Sequence, residues 1–242
     1  MEVDLHSHTT VSDGLLEPEE LVELAAKRGV RYLAITDHDT TDGLDRARVK
    51  AKDFPSLFLI PGIELSTDVP GGEVHLLGFF IEYHDPDLQS TLSRFRQGRK
   101  GRARRMVEKL SEMGMPLDWE RVRELSGDGA IGRPHVAQAL VEKGYVGSIQ
   151  EAFAKYIGRD GPAYAERDKL TPAEAVRLVT SVNGLPVLAH PGEVPDIETL
   201  LRELKEVGLV GMEVYYDNYS CETVQRLAKV ARKFHLIPCG GS

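Results

Sequence analysis

The sequence predicts an α/β protein whose seven strands form a barrel, with a helical subdomain inserted into it. Three observations predict this. Strand and helix patterns alternate at both ends of the chain, the pattern from about Asp85 to Lys169 is helical throughout, and five of eight histidines fall where strands end. Alternating units imply a mainly parallel sheet, and polar residues gathered at strand ends suit a barrel. At 242 residues the chain can bury one large core, or one core and a satellite. An open doubly wound sheet is the alternative, but no glycine-rich dinucleotide fingerprint or P-loop follows the first strand.

In chain order, Val3 to His6 reads as a short strand; side chains alternate along a strand, so His6 and His8 share a face. Glu17 to Arg28 reads as a helix, with Pro18 in the first turn, Leu21, Leu24 and Ala25 on one face, and Gly29 as its stop. Tyr32 to Ile35 is a buried-type strand followed by TDHDTTDG. Leu57 to Ile63 is a third strand ending at Glu64, and the turn VPGG leads into a fourth, EVHLLGFFI. Helices are predicted over 88–113, 118–125, 134–143 and 149–157. Alternation then returns, with helices over 172–182, 197–207 and 221–234, and the strands LPVLAH, GMEVYY and LIPC. Residues 85–169 are thus the expected helical insertion, and residues 1–84 with 170–242 the barrel.

Apolar residues make up 41% and charged residues 28%, the composition of an ordinary globular protein. No apolar run reaches the roughly 18 residues of a membrane span, and the N-terminus lacks a signal-peptide pattern. Cys221 and Cys239 are the only cysteines and show no CxxC spacing, which disfavours thiolate zinc and suits a reducing cytoplasm. The formal net charge is -8, and carboxylates at a metal site would supply part of it. Against that trend, Arg94 to Arg105 carries seven basic residues in twelve. It reads as a solvated helix face or as an electrostatic guide for a phosphate-rich ligand. With Phe95 its sole aromatic residue, it does not support base stacking.

The metal-capable residues gather at one rim. His6 and His8 end the first strand, with Asp13 in the next loop. Asp37, His38 and Asp39 end the second, Glu64 the third, and His190 the fifth, while His75 lies in the fourth beyond its turn. The C-terminal strand ends of a β/α barrel share the face that carries chemistry. His84 and His235 fall elsewhere and read as structural or surface residues. Histidines and carboxylates without thiols favour Zn, Mn or Fe. Glu64 follows the nearly apolar FLIPGI, which disfavours a merely solvated role. A carboxylate can bridge two cations with its two oxygens, as a neutral imidazole cannot, so Glu64 is the natural bridge of a multinuclear site.

HSHTTVSDG, TDHDTTDG, PGIELS, EVHLLGF, LAHPG and the terminal PCGGS, in this order, resemble the PHP family, named for its polymerase and histidinol-phosphatase members. The resemblance covers nearly the whole chain. It implies a distorted (β/α)7 barrel with a di- or trinuclear metal site at the C-terminal strand ends. It assigns His6, His8 and Glu64 to one ion, Glu64, His75 and His190 to a second, and Asp13 and His38 to a third. In the family the last strand continues GGSD-x-H and supplies two further ligands. The sequence stops at Ser242, so the barrel's C-terminal end is expected to be truncated.

The insertion and its GRPHVA motif resemble a subgroup of stand-alone phosphoesterases. Arg133 and His135 open a predicted helix, where the free N–H groups attract anions and arginine offers a bidentate fork. An exposed arginine and a capping histidine are the plainer reading. By resemblance both hold substrate phosphate, and the insertion acts as a substrate lid. Tyr215 and Asn218, at the end of the sixth strand and just beyond it, are assigned to the pocket wall.

The expected activity is hydrolysis of phosphate esters by a metal-activated water, with two or three divalent ions, Mn first and Zn or Fe as alternatives. Asp37 or His38 assists the leaving group, with His38 the better fit as a ligand. The expected substrate is a 3′,5′-bisphosphorylated nucleoside or a short 5′-phosphorylated RNA, with neither a membrane nor an obligatory protein partner. A histidinol-phosphate phosphatase is one rival. A catalytically idle PHP domain that binds a partner is another, and the near-complete ligand set argues against it.

Overall fold

The computed structural model describes residues 2–69, 72–127, 131–166 and 170–242. Pro70 and Gly71 of the expected VPGG turn, and Lys169 at the expected edge of the insertion, lie outside them. The chain divides into two compact units, residues 1–90 with 169–242, and residues 91–168.

The first unit is a seven-stranded sheet in sequence order: β1 (Val3–Asp4), β2 (Tyr32–Ile35), β3 (Phe58–Val69), β4 (Gly72–Phe79), β5 (Leu185–Leu188), β6 (Gly211–Tyr216) and β7 (Ile237–Gly241). Helices α1 (Pro18–Lys27), α2 (Leu44–Ala51), α7 (Pro172–Ser181), α8 (Ile197–Glu206) and α9 (Cys221–Lys233) supply the connections. Local chemistry sets their starts. Thr171 and Glu174 form a reciprocal capping box at α7 with Pro172 behind it, and the Ser220 side chain caps α9. The barrel interior is apolar, built from Ala34, Ile60, Leu77, Phe79, Val187 and Ala189.

Adjacent strands are parallel except at β4, which is antiparallel to both β3 and β5. The hairpin causes this, because so short a link cannot carry a crossover. It also turns the start of β4, with His75, to the end where the other strands finish. The sheet nearly closes on itself. Leu5 donates its N–H to Gly240 O (3.1 Å), and Asp4 accepts from the N–H and the hydroxyl of Ser242 (3.1 and 2.9 Å). A Cβ on Gly241 would overlap His6, so the seam needs glycine there.

The structure departs from the expected elements in several places. Strand β1 ends at Asp4 and β5 at Leu188, so His6 and His190 lie just beyond their strands rather than in them. Helix α2 was not expected: it is short, follows Gly43 without a side-chain cap, and buries only Leu44 and Ala47. Strand β3 does not end at Glu64 but runs on to Val69, because β4 pairs with it through Val69↔Gly72.

The second unit holds most of α3 (Pro86–Glu112), then α4 (Trp119–Ser126), α5 (Arg133–Glu142) and α6 (Ile149–Ala152), which passes into a π-helical turn over Phe153–Ile157. It has its own core, including Val107, Leu110, Val122, Val136, Leu140 and Ile157. The basic run lies on α3 and is mixed in character. Arg94, Lys100, Arg104 and Arg105 are exposed, whereas Arg99 and Arg102 are buried.

Candidate metal centre

The five rim histidines converge on one carboxylate. Glu64 is buried on β3, and its two oxygens face different imidazoles. Oε2 lies 3.3 Å from His6 Nε2, 3.2 Å from His8 Nε2 and 3.2 Å from His38 Nδ1. Oε1 lies 2.8 Å from His75 Nδ1 and 3.0 Å from His190 Nε2. Asp13 stands at the outer edge, with Oδ1 3.4 Å from His8 Nδ1 and Oδ2 3.6 Å from His38 Nε2. Three sets bring their donor atoms within 4.8 Å of one another: His6, His8 and Glu64; His8, Asp13 and His38; and His38, Glu64 and His75.

This donor set fits divalent cations. Among the described residues, Glu64 Oε2 and His38 Nδ1 are buried and make no hydrogen bond. Orphaned buried polar atoms are costly, and a cation between them removes the cost. The Nε2 atoms of His6 and His8 also lie 3.1 Å apart, close enough to share a proton or a cation.

Electrostatics points the same way. Burial by itself would raise the Glu64 carboxyl, but the imidazoles around it, His38 and His75 foremost and then His190 and His6, hold it well below the carboxylate range. Burial disfavours charge on His6 as well, yet Glu213 and Glu64 together push it up to about 10. Burial drives His38 down to about 4, with Glu64 opposing and His75 and His8 adding to the fall. The metal-free protein therefore carries a proton on His6 at neutral pH, and a cation must displace it. Metal uptake is expected to release protons and to tighten as pH rises from 6 to 8. Calorimetry in buffers of different ionisation enthalpy checks this, and uptake independent of pH would contradict it.

Glu213 was not foreseen, although its signal was present: a carboxylate inside the apolar strand GMEVYY. It is fully buried on β6. Its Oε1 lies 3.1 Å from His6 Nδ1, and its Oε2 accepts the His190 N–H at 2.7 Å. An acceptor on Nδ1 keeps a proton there, so that His6 would offer its Nε2 lone pair once a cation displaces the Nε2 proton. The second bond holds His190, whose φ of 27° is sparsely populated for a side chain of this size.

Two expected residues sit differently. Asp37 does not face the cluster. Its Oδ1 accepts from the Thr9 N–H and the Ser12 hydroxyl, and its Oδ2 from the Thr9 hydroxyl, each at 2.7 Å. This carboxylate fastens the loop between His8 and Asp13. Tyr215 is 54% exposed, and Tyr216 takes the place expected of it, 6.0 Å from His6 and 5.8 Å from His190 between ring centroids. An irregularity between Glu213 and Tyr215 is the reason: it breaks the two-residue alternation, so Glu213 and Tyr216 face the site together. Asn218 lies just beyond, exposed, on the wall of a cleft that His190 also lines.

In the helical unit, Arg133 and His135 open α5 as expected. His135 Nδ1 accepts the Gly132 N–H (2.9 Å), a capping bond, and the Arg133 guanidinium lies over the Phe153 ring at 5.4 Å. The Arg99 guanidinium is a neighbour of the same turn, 3.7 Å from where a Cβ on Gly132 would stand.

A buried carboxylate ringed by imidazoles at the open end of a β/α barrel defines a metal-dependent hydrolase. The PHP domain model matches residues 4–77. The 5′-3′ exoribonuclease Rnm of Salmonella typhimurium is 36% identical over 99% of this chain and 83% of its own length. The 3′,5′-nucleoside bisphosphate phosphatase of Chromobacterium violaceum is 33% identical over 99% of this chain and 86% of its own. The crystal structure of a candidate metal-dependent phosphoesterase from Bifidobacterium adolescentis superposes with a TM-score of 0.89. It is 32% identical, over 99% of this chain and 86% of that one. The chain belongs to the PHP domain family and is a metal-dependent phosphoric ester hydrolase. Among the described residues no helix is long and apolar enough to cross a membrane.

Proposed function

We propose that this protein hydrolyses phosphate esters of nucleotide-type substrates, namely 3′,5′-bisphosphorylated nucleosides or short 5′-phosphorylated RNA. The observation that carries the reading is Glu64, whose two oxygens face separate sets of imidazoles. The names of the relatives support the substrate class, since one is an exoribonuclease and the other a nucleoside bisphosphate phosphatase.

His6, His8 and Glu64 are assigned to one ion, Glu64, His75 and His190 to a second, and Asp13 and His38 to a third, with Mn preferred over Zn or Fe. Divalent ions held there would supply a water acidic enough to ionise near neutral pH, and positive charge for the phosphate oxygens. The chain's own residues set the geometry. Glu64 spaces the two main positions, Glu213 orients His6 and anchors His190, and Asp37 holds the loop that carries Asp13. His38 is assigned as a ligand, and Asp37 as a positioning residue.

Arg133 is assigned to the second phosphate of the substrate, and Asn218 to substrate contact. Arg133→Ala should raise KM for a substrate with two phosphates far more than for one with a single phosphate. Lost charged hydrogen bonds of about 1.5–3 kcal/mol correspond to roughly ten- to a hundredfold. Equal effects on both substrates would remove Arg133 from recognition of the second phosphate.

The reading is tested by phosphate release with manganese, comparing nucleoside 3′,5′-bisphosphates, 5′-phosphorylated RNA and histidinol phosphate. Turnover is expected for the first two classes. Preference for histidinol phosphate, or release from none of them, would overturn it.

A further inference from the structure

A cleft of about 800 Å³ opens beside the metal centre on the barrel unit, a size typical of small-ligand sites. His190 and Tyr216 stand on its wall, so anything bound there borders the Glu64 ring. Much of its wall is apolar, with Val69, Val74, Ala189, Val194 and Pro195. The described residues lining it include Glu73 and Glu193 and no lysine or arginine.

The cleft does offer a fixed aromatic corner. Tyr216 and Tyr219 meet edge to face, with centroids 5.4 Å apart and planes at 65°. Tyr219 is held in place, because its hydroxyl accepts the Gly192 N–H at 2.6 Å. A Cβ on Gly192 would lie 2.6–2.8 Å from the ring, so only glycine lets the backbone close on it. Arg226 in turn donates to Gly192 O at 2.6 Å and ties the turn to α9. A ring fixed in advance loses little entropy when a flat partner stacks on it. The exposed amide of Asn218 on the same wall carries both a donor and an acceptor, the pair needed to read a base edge.

We propose that this cleft takes the uncharged end of the substrate, with its nucleobase packed on the Tyr216–Tyr219 corner and Asn218 at the base edge. The inference rests on the phosphoesterase reading above and adds the part of the substrate that reading leaves open. Phosphates then lie toward the imidazole ring, and the base lies on the tyrosine side.

The test compares a nucleoside 3′,5′-bisphosphate with its base-free counterpart, 1-O-methylribose 3,5-bisphosphate, on the metal-loaded full chain. Stacking of one base on an aromatic ring predicts a KM about tenfold or more lower for the base-bearing substrate. Tyr219→Leu should erase most of that preference, and Asn218→Ala, an exposed change with little bearing on folding, should reduce it. Equal KM values for the two substrates in the unaltered protein would overturn the base cleft. So would a preference that survives both substitutions. Failure to hydrolyse either substrate is a different result, and it would overturn the phosphoesterase reading itself.

Discussion

Glu64→Gln is expected to lower bound metal and phosphate-ester turnover together, each by more than about 100-fold, since loss of an outer-shell partner alone typically costs 10–100-fold. The substitution keeps the shape and removes what matters. In the native side chain one oxygen faces His6, His8 and His38, and the other faces His75 and His190. An amide has one acceptor oxygen, and its NH2 group would point donors at imidazole nitrogens whose lone pairs are wanted for a cation. It also leaves the cations without the buried negative charge between them. Elemental analysis of the purified variant, set beside its phosphate release, measures both effects. Metal retained with turnover lost would restrict Glu64 to chemistry. Near-native values of both would remove it from the centre.

Glu213→Gln should weaken metal binding by about 10–100-fold through a residue that contacts no ion. The native carboxylate accepts on both oxygens, from His6 Nδ1 and from the His190 N–H. An amide can accept on one side only, so either the His6 tautomer or the His190 turn loses its partner. An orphaned buried N–H costs about 1–3 kcal/mol, so thermal stability should fall as well. Chelator competition gives the affinity, and thermal unfolding without metal gives the stability. Native affinity in this variant would show that His6 needs no orienting partner.

Much of the fold and the centre was legible because each motif carries its own physics. His6, His8, His38 and His190 stood at or just beyond strand ends and His75 near the start of a reversed strand, and a barrel brings these together. Glu64 stood out because a carboxylate behind FLIPGI has no solvated role to play. Other features depended on contacts that sequence spacing does not encode. Strand β3 outruns Glu64 because β4 pairs back along it, and pairing is a long-range property. Helix α2 has little amphipathic signal and no side-chain cap, so nothing local announces it. That Tyr216 shares a face with Glu213 follows from one irregularity beside β7, which strict alternation does not indicate. Asp37 looked like its neighbours in TDHD. Only the fold shows its oxygens taken by Thr9 and Ser12.

The central claim is that the imidazoles around Glu64 hold divalent ions on both sides of one carboxylate. Anomalous diffraction from crystals of the manganese-loaded protein tests it most directly. The account predicts one peak near Glu64 Oε2 with His6 and His8, and another near Oε1 with His75 and His190. Ligand atoms should lie at roughly 2.0–2.3 Å from the ions. Peaks that avoid Glu64, or manganese held elsewhere on the chain while this ring stays without it, would contradict the account.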